Sequence, residues 1–215
     1  GIKTALEAAG FRVTLSAVAE TAWDNANPAV DGIDAVLHLN GTTYDAQMPV
    51  AGQAALVEYV KGGGGYLSAA WNEFELGEGR MGTMADLILA RRSSGDPLGT
   101  RTYTEVAAQA SHPILANVPA NFNAPFTGNV GTVAAFSSQP ATVLMKEGSN
   151  DAVIVRQLDR GRVVYFHNAF NYLDNTNMAD PNLRQLIIDS VRWAARPDGD
   201  RDGVADAEDS HPDDP

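Results

Sequence analysis

The sequence predicts an α/β fold of three layers, a doubly wound and mostly parallel sheet with helices on both faces, followed by a short C-terminal calcium-binding loop segment. Apolar positions alternate between helical and strand spacing through most of the 215 residues. Glycines mark the points where a helical pattern gives way to a strand pattern. The last helical pattern carries a complete start signal, Asp180 as N-cap and Pro181 at the first helical position.

The elements follow in chain order. Ile2, Leu6 and Ala9 recur at helical spacing, Gly10 supplies a stop, and Phe11-Arg12-Val13-Thr14-Leu15 alternates as a strand. Ala35-Val36-Leu37-His38-Leu39 reads as a second strand. Gln53, Leu56, Val57 and Val60 line a helix that ends at the four glycines 62–65, and Tyr66-Leu67-Ser68-Ala69-Ala70-Trp71 follows as a third strand. Further strands are expected within residues 101–107, 141–145, 152–157 and 162–166. Leu183, Ile187, Val191 and Ala194 share one face of the closing helix.

Four successive glycines suggest a phosphate cradle, but such a cradle needs a strand before it and a helix N-terminus after it. Here the helix comes first, so residues 62–65 read as a helix stop and tight turn. This helix–turn–strand run, together with Ser111-His112-Pro113-Ile114-Leu115 and Gly161-Arg162-Val163-Val164-Tyr165-Phe166, resembles the ThuA-like (trehalose utilisation) branch of the class I glutamine amidotransferase-like superfamily. The resemblance spans roughly residues 1–195 in element order and implies a flavodoxin-like fold. Active amidotransferases of that superfamily carry a cysteine on a sharp elbow after the strand that corresponds to residues 66–70. This chain has no cysteine, so thiol catalysis, disulfides and thiolate metal sites are excluded. Ala69, Ala70 and Trp71 stand at the elbow, with Ala70 expected at the position where ThuA-like proteins often carry histidine.

The C-terminal run Asp198-Gly199-Asp200-Arg201-Asp202-Gly203-Val204-Ala205-Asp206-Ala207-Glu208-Asp209 places carboxylates at loop positions 1, 3, 5, 9 and 12, with glycine at 6. Alternating oxygen ligands converge if the backbone curls sharply, and glycine permits the curl. Asp198, Asp200, Asp202, Asp206 and Asp209 are the candidate side-chain ligands of a Ca2+ ion, and Val204 at position 7 would give its backbone carbonyl. Two carboxylates about 4 Å apart repel by about 1 kcal/mol even at the dielectric of water, so convergence of this many needs a cation. A solvated acidic tail has no reason to keep this register. Asp209 replaces the usual glutamate, and Pro197 disfavours a helix running into the loop. The segment resembles the thrombospondin type 3 repeat, which implies a calcium-stiffened connector of a secreted or surface protein. Ser210 and His211 stand where many members of that family have a cysteine.

Charge divides the chain in the same place. Residues 197–215 hold eight acidic groups and one arginine, a net of −7 out of the formal −12, so the body is only mildly acidic. The expected domains are therefore an α/β body over 1–196 and the calcium segment over 197–215. No basic stripe suggests a nucleic-acid partner, and no apolar run approaches the ~18 residues of a membrane span. The calcium loop argues for an extracellular or cell-surface location, where millimolar calcium would fill a loop of this type.

Two segments should meet at the carboxyl edge of the sheet, where open α/β sheets bind ligands. They are Trp71, Asn72 and Glu73 after one strand, and His167, Asn168, Asn171 and Tyr172 after another. Aromatic faces beside amides and carboxylates suit a carbohydrate; loop-forming asparagines with anchoring aromatics would give the same pattern. His38, inside an apolar strand, and His112, before a proline, read as structural groups.

A doubly wound sheet opens with a strand that is internal to the flavodoxin-like order, whereas this sequence opens on a helix. The body is thus expected to lack its first strand, supplied by a longer polypeptide or donated by a neighbouring subunit. Taken together, the expected function is a non-catalytic structural or interaction module of an extracellular protein. Its calcium-stiffened connector would join it to adjacent modules or neighbouring subunits, in a surface assembly or filament. The alternative is a secreted carbohydrate-active or carbohydrate-binding domain.

Overall fold

The computed structural model describes residues 1–40, 43–133, 140–170 and 176–195. Helix α1, Ile2–Ala8, ends where Gly10 takes φ +93°, a left-handed conformation that glycine adopts without strain. Strand β1, Ala35–His38, is followed by α2, Val50–Lys61, and by β2, Gly65–Ala69. The glycines between them act as a helix stop: Gly62 is the C-cap, and Gly63 turns the chain at φ +115°. Helix α3, Asn72–Gly77, leads to the long strands β3, Ala90–Glu105, and β4, Asn121–Val133. Then come β5, Thr142–Glu147, β6, Asn150–Leu158, β7, Gly161–Phe166, and α4, Pro181–Ala194. At the start of α4 the Asp180 carboxylate accepts from the backbone N–H of Asn182 and Leu183 at 2.9 and 3.0 Å, the cap its sequence specifies.

The described strands form one sheet in the order β1-β2-β7-β6-β5-β3-β4. Side-chain alternation sends the two faces into separate cores. On β7, Val164 and Phe166 enter the core under α1 and α4, while Val163 and Tyr165 enter the core under α2. Strand β6 divides likewise, Val153 and Val155 to one side and Ile154 and Leu158 to the other. Each such apolar side chain, removed from water, contributes about 1.5–3 kcal/mol before conformational entropy is subtracted. The three-layer α/β architecture is therefore as the sequence predicts.

The sheet is mixed, not mostly parallel. Among the described strands only β1–β2 and β2–β7 pair in parallel, and the four remaining pairings are antiparallel. The reason lies in the connections. Gly148 and Ser149 alone join β5 to β6, and Asp159 and Arg160 alone join β6 to β7, with Gly148 at φ +57° and Asp159 at φ +51°. Two-residue turns reverse the chain, so these strands can pair only as hairpins.

Three expectations about individual elements are also corrected. Residues 11–15 are not a strand: they have no ladder partner among the described residues, and an extended segment becomes a strand only through pairing. Strand β2 stops at Ala69, so Trp71 lies beyond it. Strand β4, which the residue pattern does not announce, contains Pro125, Gly128 and Gly131. Its place at the sheet edge is where proline and glycine are tolerated in a strand.

Candidate functional site

The parallel strands β1, β2 and β7 end together, and the chain leaving β2 makes a tight elbow there. Trp71 sits at φ +93°, ψ −28°, between the end of β2 and the start of α3. A non-glycine residue in this conformation costs about 1–3 kcal/mol and needs surrounding contacts to hold it. Those contacts are aromatic. The indole stacks on Tyr44 at 4.6 Å between centroids and meets the edge of Phe74 at 5.9 Å. The guanidinium groups of Arg92 and Arg80 lie 5.1 and 5.7 Å from the Phe74 centroid. The residue at the elbow is thus Trp71, one of the three, Ala69, Ala70 and Trp71, expected there.

Strand β4 closes over the elbow through Gly128. A Cβ on this residue would stand 2.6 Å from the His167 carbonyl oxygen and 2.9 Å from the Ala70 Cβ, and its φ of +144° favours glycine in any case. A backbone bridge joins Gly128 to Asn168, and the N–H of Ala169 donates to the Thr127 carbonyl at 2.6 Å. The two segments proposed from sequence for the sheet edge therefore do meet, around one glycine.

What they enclose is a buried polar cluster. Glu73 is 2% exposed, and the Tyr165 hydroxyl and Asn129 amide face its carboxyl. Burial raises the Glu73 pKa to about 7, against the opposing pull of these hydrogen-bonding groups. Arg92 Nε donates to Asn129 Oδ1 at 2.7 Å, which holds the amide in place. His167, 1% exposed, packs edge-on against Tyr165 at 5.3 Å between centroids. Burial lowers its pKa to about 4, with the Asp151 charge acting the other way, so the imidazole is neutral at physiological pH. Asn168 turns into the opposite core, donating to the Tyr103 hydroxyl at 3.2 Å and the Pro125 carbonyl at 2.9 Å, while Asn177 donates to its oxygen at 2.6 Å.

A second cluster lies beside the first, at the end of β1. His38 links Glu20 and Tyr66, with Nε2 2.9 Å from the Glu20 carboxylate and Nδ1 2.6 Å from the Tyr66 hydroxyl. Both ring nitrogens thus have a polar partner, and the tautomer sets which of Nδ1 and the Tyr66 hydroxyl donates. Asn72 donates to the His38 carbonyl at 3.2 Å, and Asn40 donates to Glu75 at 2.9 Å. Burial, then the Glu20 charge, pushes the Glu75 pKa up to about 8. Burial first, then Glu20 and Glu75, raises the Tyr66 pKa as well. His38 is structural in the sense the sequence implies, yet it is the centre of a carboxylate–imidazole–phenol chain that strand periodicity could not foresee.

Trp71, Asn72, Glu73 and His167 thus gather at one end of the sheet, whereas the Asn168 side chain faces away from them. Asn171 and Tyr172 lie outside the described residues, as do the calcium-loop residues Asp198, Asp200, Asp202, Val204, Asp206 and Asp209. Among the described residues no group of three or more His, Asp or Glu is placed to hold a metal ion. No helix among them is long and apolar enough to cross a membrane. The partners missed from sequence are Glu20, Asn40, Tyr66, Arg92, Asn129 and Tyr165. The alternation of Tyr66 with Ser68, and of Tyr165 with His167, was the available signal that polar groups share one sheet face with apolar ones.

A strand, a left-handed elbow and a short helix at the carboxyl edge of a parallel strand pair are the features to compare with known folds. A ThuA-like protein from Parabacteroides merdae superposes with a TM-score of 0.63 at 12% identity, over 90% of this chain and 82% of that one. The chain shares the fold of the ThuA-like proteins. A cytoplasmic protein of Salmonella typhimurium gives a TM-score of 0.66 at 15% identity, covering 91% of this chain and 86% of that one. A glutamine amidotransferase from Thermotoga maritima gives 0.50 at 11% identity, covering 79% and 81%. At these identities the likeness is one of fold. No family model matches the sequence, and no curated protein matches it.

Proposed function

We propose that the chain is a non-catalytic structural or interaction module of an extracellular protein, with a calcium-stiffened connector leading from its C-terminal end to adjacent modules or subunits. The observation that carries the first half of this reading is Trp71 at the elbow. An indole offers neither a nucleophile nor a general base at the turn between β2 and α3. The polar groups around it are turned inward: Asn72, Glu73, Glu75, His167 and Asn168 are each 2% exposed or less. Side chains so enclosed hold the elbow in shape and have little surface to offer a substrate.

The connector rests on the 1-3-5-6-9-12 register of residues 198–209 and its likeness to a thrombospondin type 3 repeat. Hard carboxylate oxygens at that spacing suit Ca2+, which would neutralise the cluster and give the exit from the body a fixed direction. Isothermal calorimetry with calcium on the chain and on Asp202→Ala tests this, with oligomeric state measured beside it in calcium and in chelator. Binding in the parent that disappears in the variant supports the connector. Equal or absent heats in both refute it.

One observation favours carbohydrate binding as a second reading. Tyr44, Trp71 and Phe74 form a half-buried aromatic platform on the outer side of the elbow, and such faces stack on sugar rings. Indole fluorescence titrated with soluble oligosaccharides, with Trp71→Ala as control, separates the two readings.

A further inference from the structure

Two cations without a counter-charge stand at the rim of the elbow. Arg80 follows α3, its backbone N–H donating to the Glu75 carbonyl at 2.9 Å, and Arg92 lies on β3. Both guanidinium groups approach one ring, that of Phe74, to 5.7 and 5.1 Å from its centroid. Among the described residues neither forms an ion pair, unlike Arg101 and Arg192. The attraction of each to the ring, about 0.5–1 kcal/mol at an exposed site, does not neutralise a charge. The buried carboxyl whose field reaches Arg80 is Glu75, and burial, then the Glu20 charge, pushes its pKa up to about 8, so at neutral pH it is largely protonated. Asp45, whose charge also reaches Glu75, pairs with neither arginine.

The hydrogen-bond donors are unspent as well. A guanidinium carries five N–H groups. Arg92 commits Nε to Asn129 Oδ1 at 2.7 Å, and Arg80 commits Nη2 to the Tyr44 carbonyl at 3.3 Å. Those bonds fix where the two groups sit and leave the outer nitrogens of Arg92 free to donate. Gly95 gives the Arg92 guanidinium its place, since a Cβ there would stand 2.7 Å from Nη2. Arg92 is exposed and Arg80 half-buried, so both are within reach of a ligand. A planar fork held in this way matches the paired oxygens of a carboxylate or sulfate.

We propose that the rim of the elbow binds an acidic saccharide, its ring against the platform of Tyr44, Trp71 and Phe74 and its carboxylate or sulfate held by Arg80 and Arg92. This rests on the carbohydrate reading of the platform given above and names the class of sugar it takes. The aromatic side chains are half-buried and adjoin both guanidinium groups, so one ligand can meet apolar surface and positive charge together. The charge of the whole chain limits how acidic that ligand can be. A formal −12 repels polyanions, whereas two arginines reverse the sign of the field only within a Debye length, ~8 Å at physiological salt. The rim therefore suits a sugar with one anionic group on the ring it stacks, rather than a nucleic acid or a densely sulfated chain.

Isothermal calorimetry on the chain tests this with four probes: a neutral oligosaccharide, its uronate counterpart of equal length and linkage, the corresponding singly sulfated sugar, and inorganic sulfate. An acidic sugar is expected to bind about tenfold or more tightly than the neutral one, as a charge-assisted hydrogen bond would give, and to weaken severalfold between about 50 and 500 mM salt. Whichever acidic sugar binds more tightly identifies the anionic group. Arg80→Gln and Arg92→Gln should each remove most of the preference, and Arg92→Lys should restore part of it, because the charge returns without the planar fork. Equal affinity for acidic and neutral sugars overturns the proposal and leaves the carbohydrate reading standing. Binding of no sugar at all removes both. Inorganic sulfate binding as tightly as the sulfated sugar assigns the arginines to a free anion and also overturns it. The ranking of the four probes and its salt dependence are read on the parent chain, so the test holds even where a variant fails to fold.

Discussion

Replacing Glu73 by glutamine isolates one buried proton. Burial raises the Glu73 pKa from 4.5 to about 7, so the folded chain holds a proton that the unfolded chain has released across most of that interval. The resulting stability is fully present below pH 4.5 and is lost as pH rises through 7. Integrated from pH 5 to pH 8, this proton alone is worth about 2–3 kcal/mol, since each tenfold difference in proton affinity between the two states corresponds to about 1.4 kcal/mol. Glu73→Gln has no such proton to lose. In urea titrations at pH 5, 6, 7 and 8 the difference in stability between variant and parent should therefore move in the variant's favour by about 2–3 kcal/mol. The matching swing in Tm is about 5–10 °C for a domain of this size. Glu75 and every other titrating group are common to both proteins and cancel in the difference. A pH slope identical in the two proteins would refute the placement of Glu73 as a buried, protonated acid.

Gly128→Ala forces a Cβ against the His167 carbonyl and Ala70 at a φ of +144°, and should cost about 2–4 kcal/mol by chemical denaturation. Asp180→Ala leaves the N–H groups of Asn182 and Leu183 without their acceptor and should cost about 1 kcal/mol, read as a Tm lower by about 2–4 °C. Tyr66→Phe removes the hydroxyl 2.6 Å from His38 Nδ1 and leaves a buried ring nitrogen without its partner. A loss of about 1–3 kcal/mol is expected, with the imidazole resonances of His38 shifting in the NMR spectrum.

The repeating units of the body were legible because they rest on local chemistry. Gly10 and Gly63 end helices through their own conformational freedom, and Asp180 caps α4 with its own carboxylate. The buried strands β2, β6 and β7 are visible as apolar runs since both their faces meet helices or other elements of the core. What stayed illegible depends on partners distant in sequence. Residues 11–15 have the composition of a strand and, among the described residues, no neighbour to pair with. Strand β4 has a poor strand composition and pairs all the same, because β3 runs beside it. The candidate site shows the same division. Trp71, Glu73 and His167 were marked by their position after strands, but nothing near Glu20 or Asn129 in the sequence tells which carboxyl or imidazole each will meet.

By itself the sequence determined the α/β class, the positions of most strands and helices, the exclusion of thiol chemistry, and the acidic register of residues 198–209. These follow from periodicity, from single-residue conformational preference and from composition, all of which act within a few residues. The tertiary structure alone decided that the sheet is mixed, that Trp71 is the elbow residue, and that Glu73, Glu75 and His167 are shut away from water with shifted pKa values. Strand direction depends on which chain segment lies alongside, and a pKa depends on the desolvation and charges that the whole fold brings around a group. Both are set by neighbours tens of residues away, so they exist only once the chain has folded.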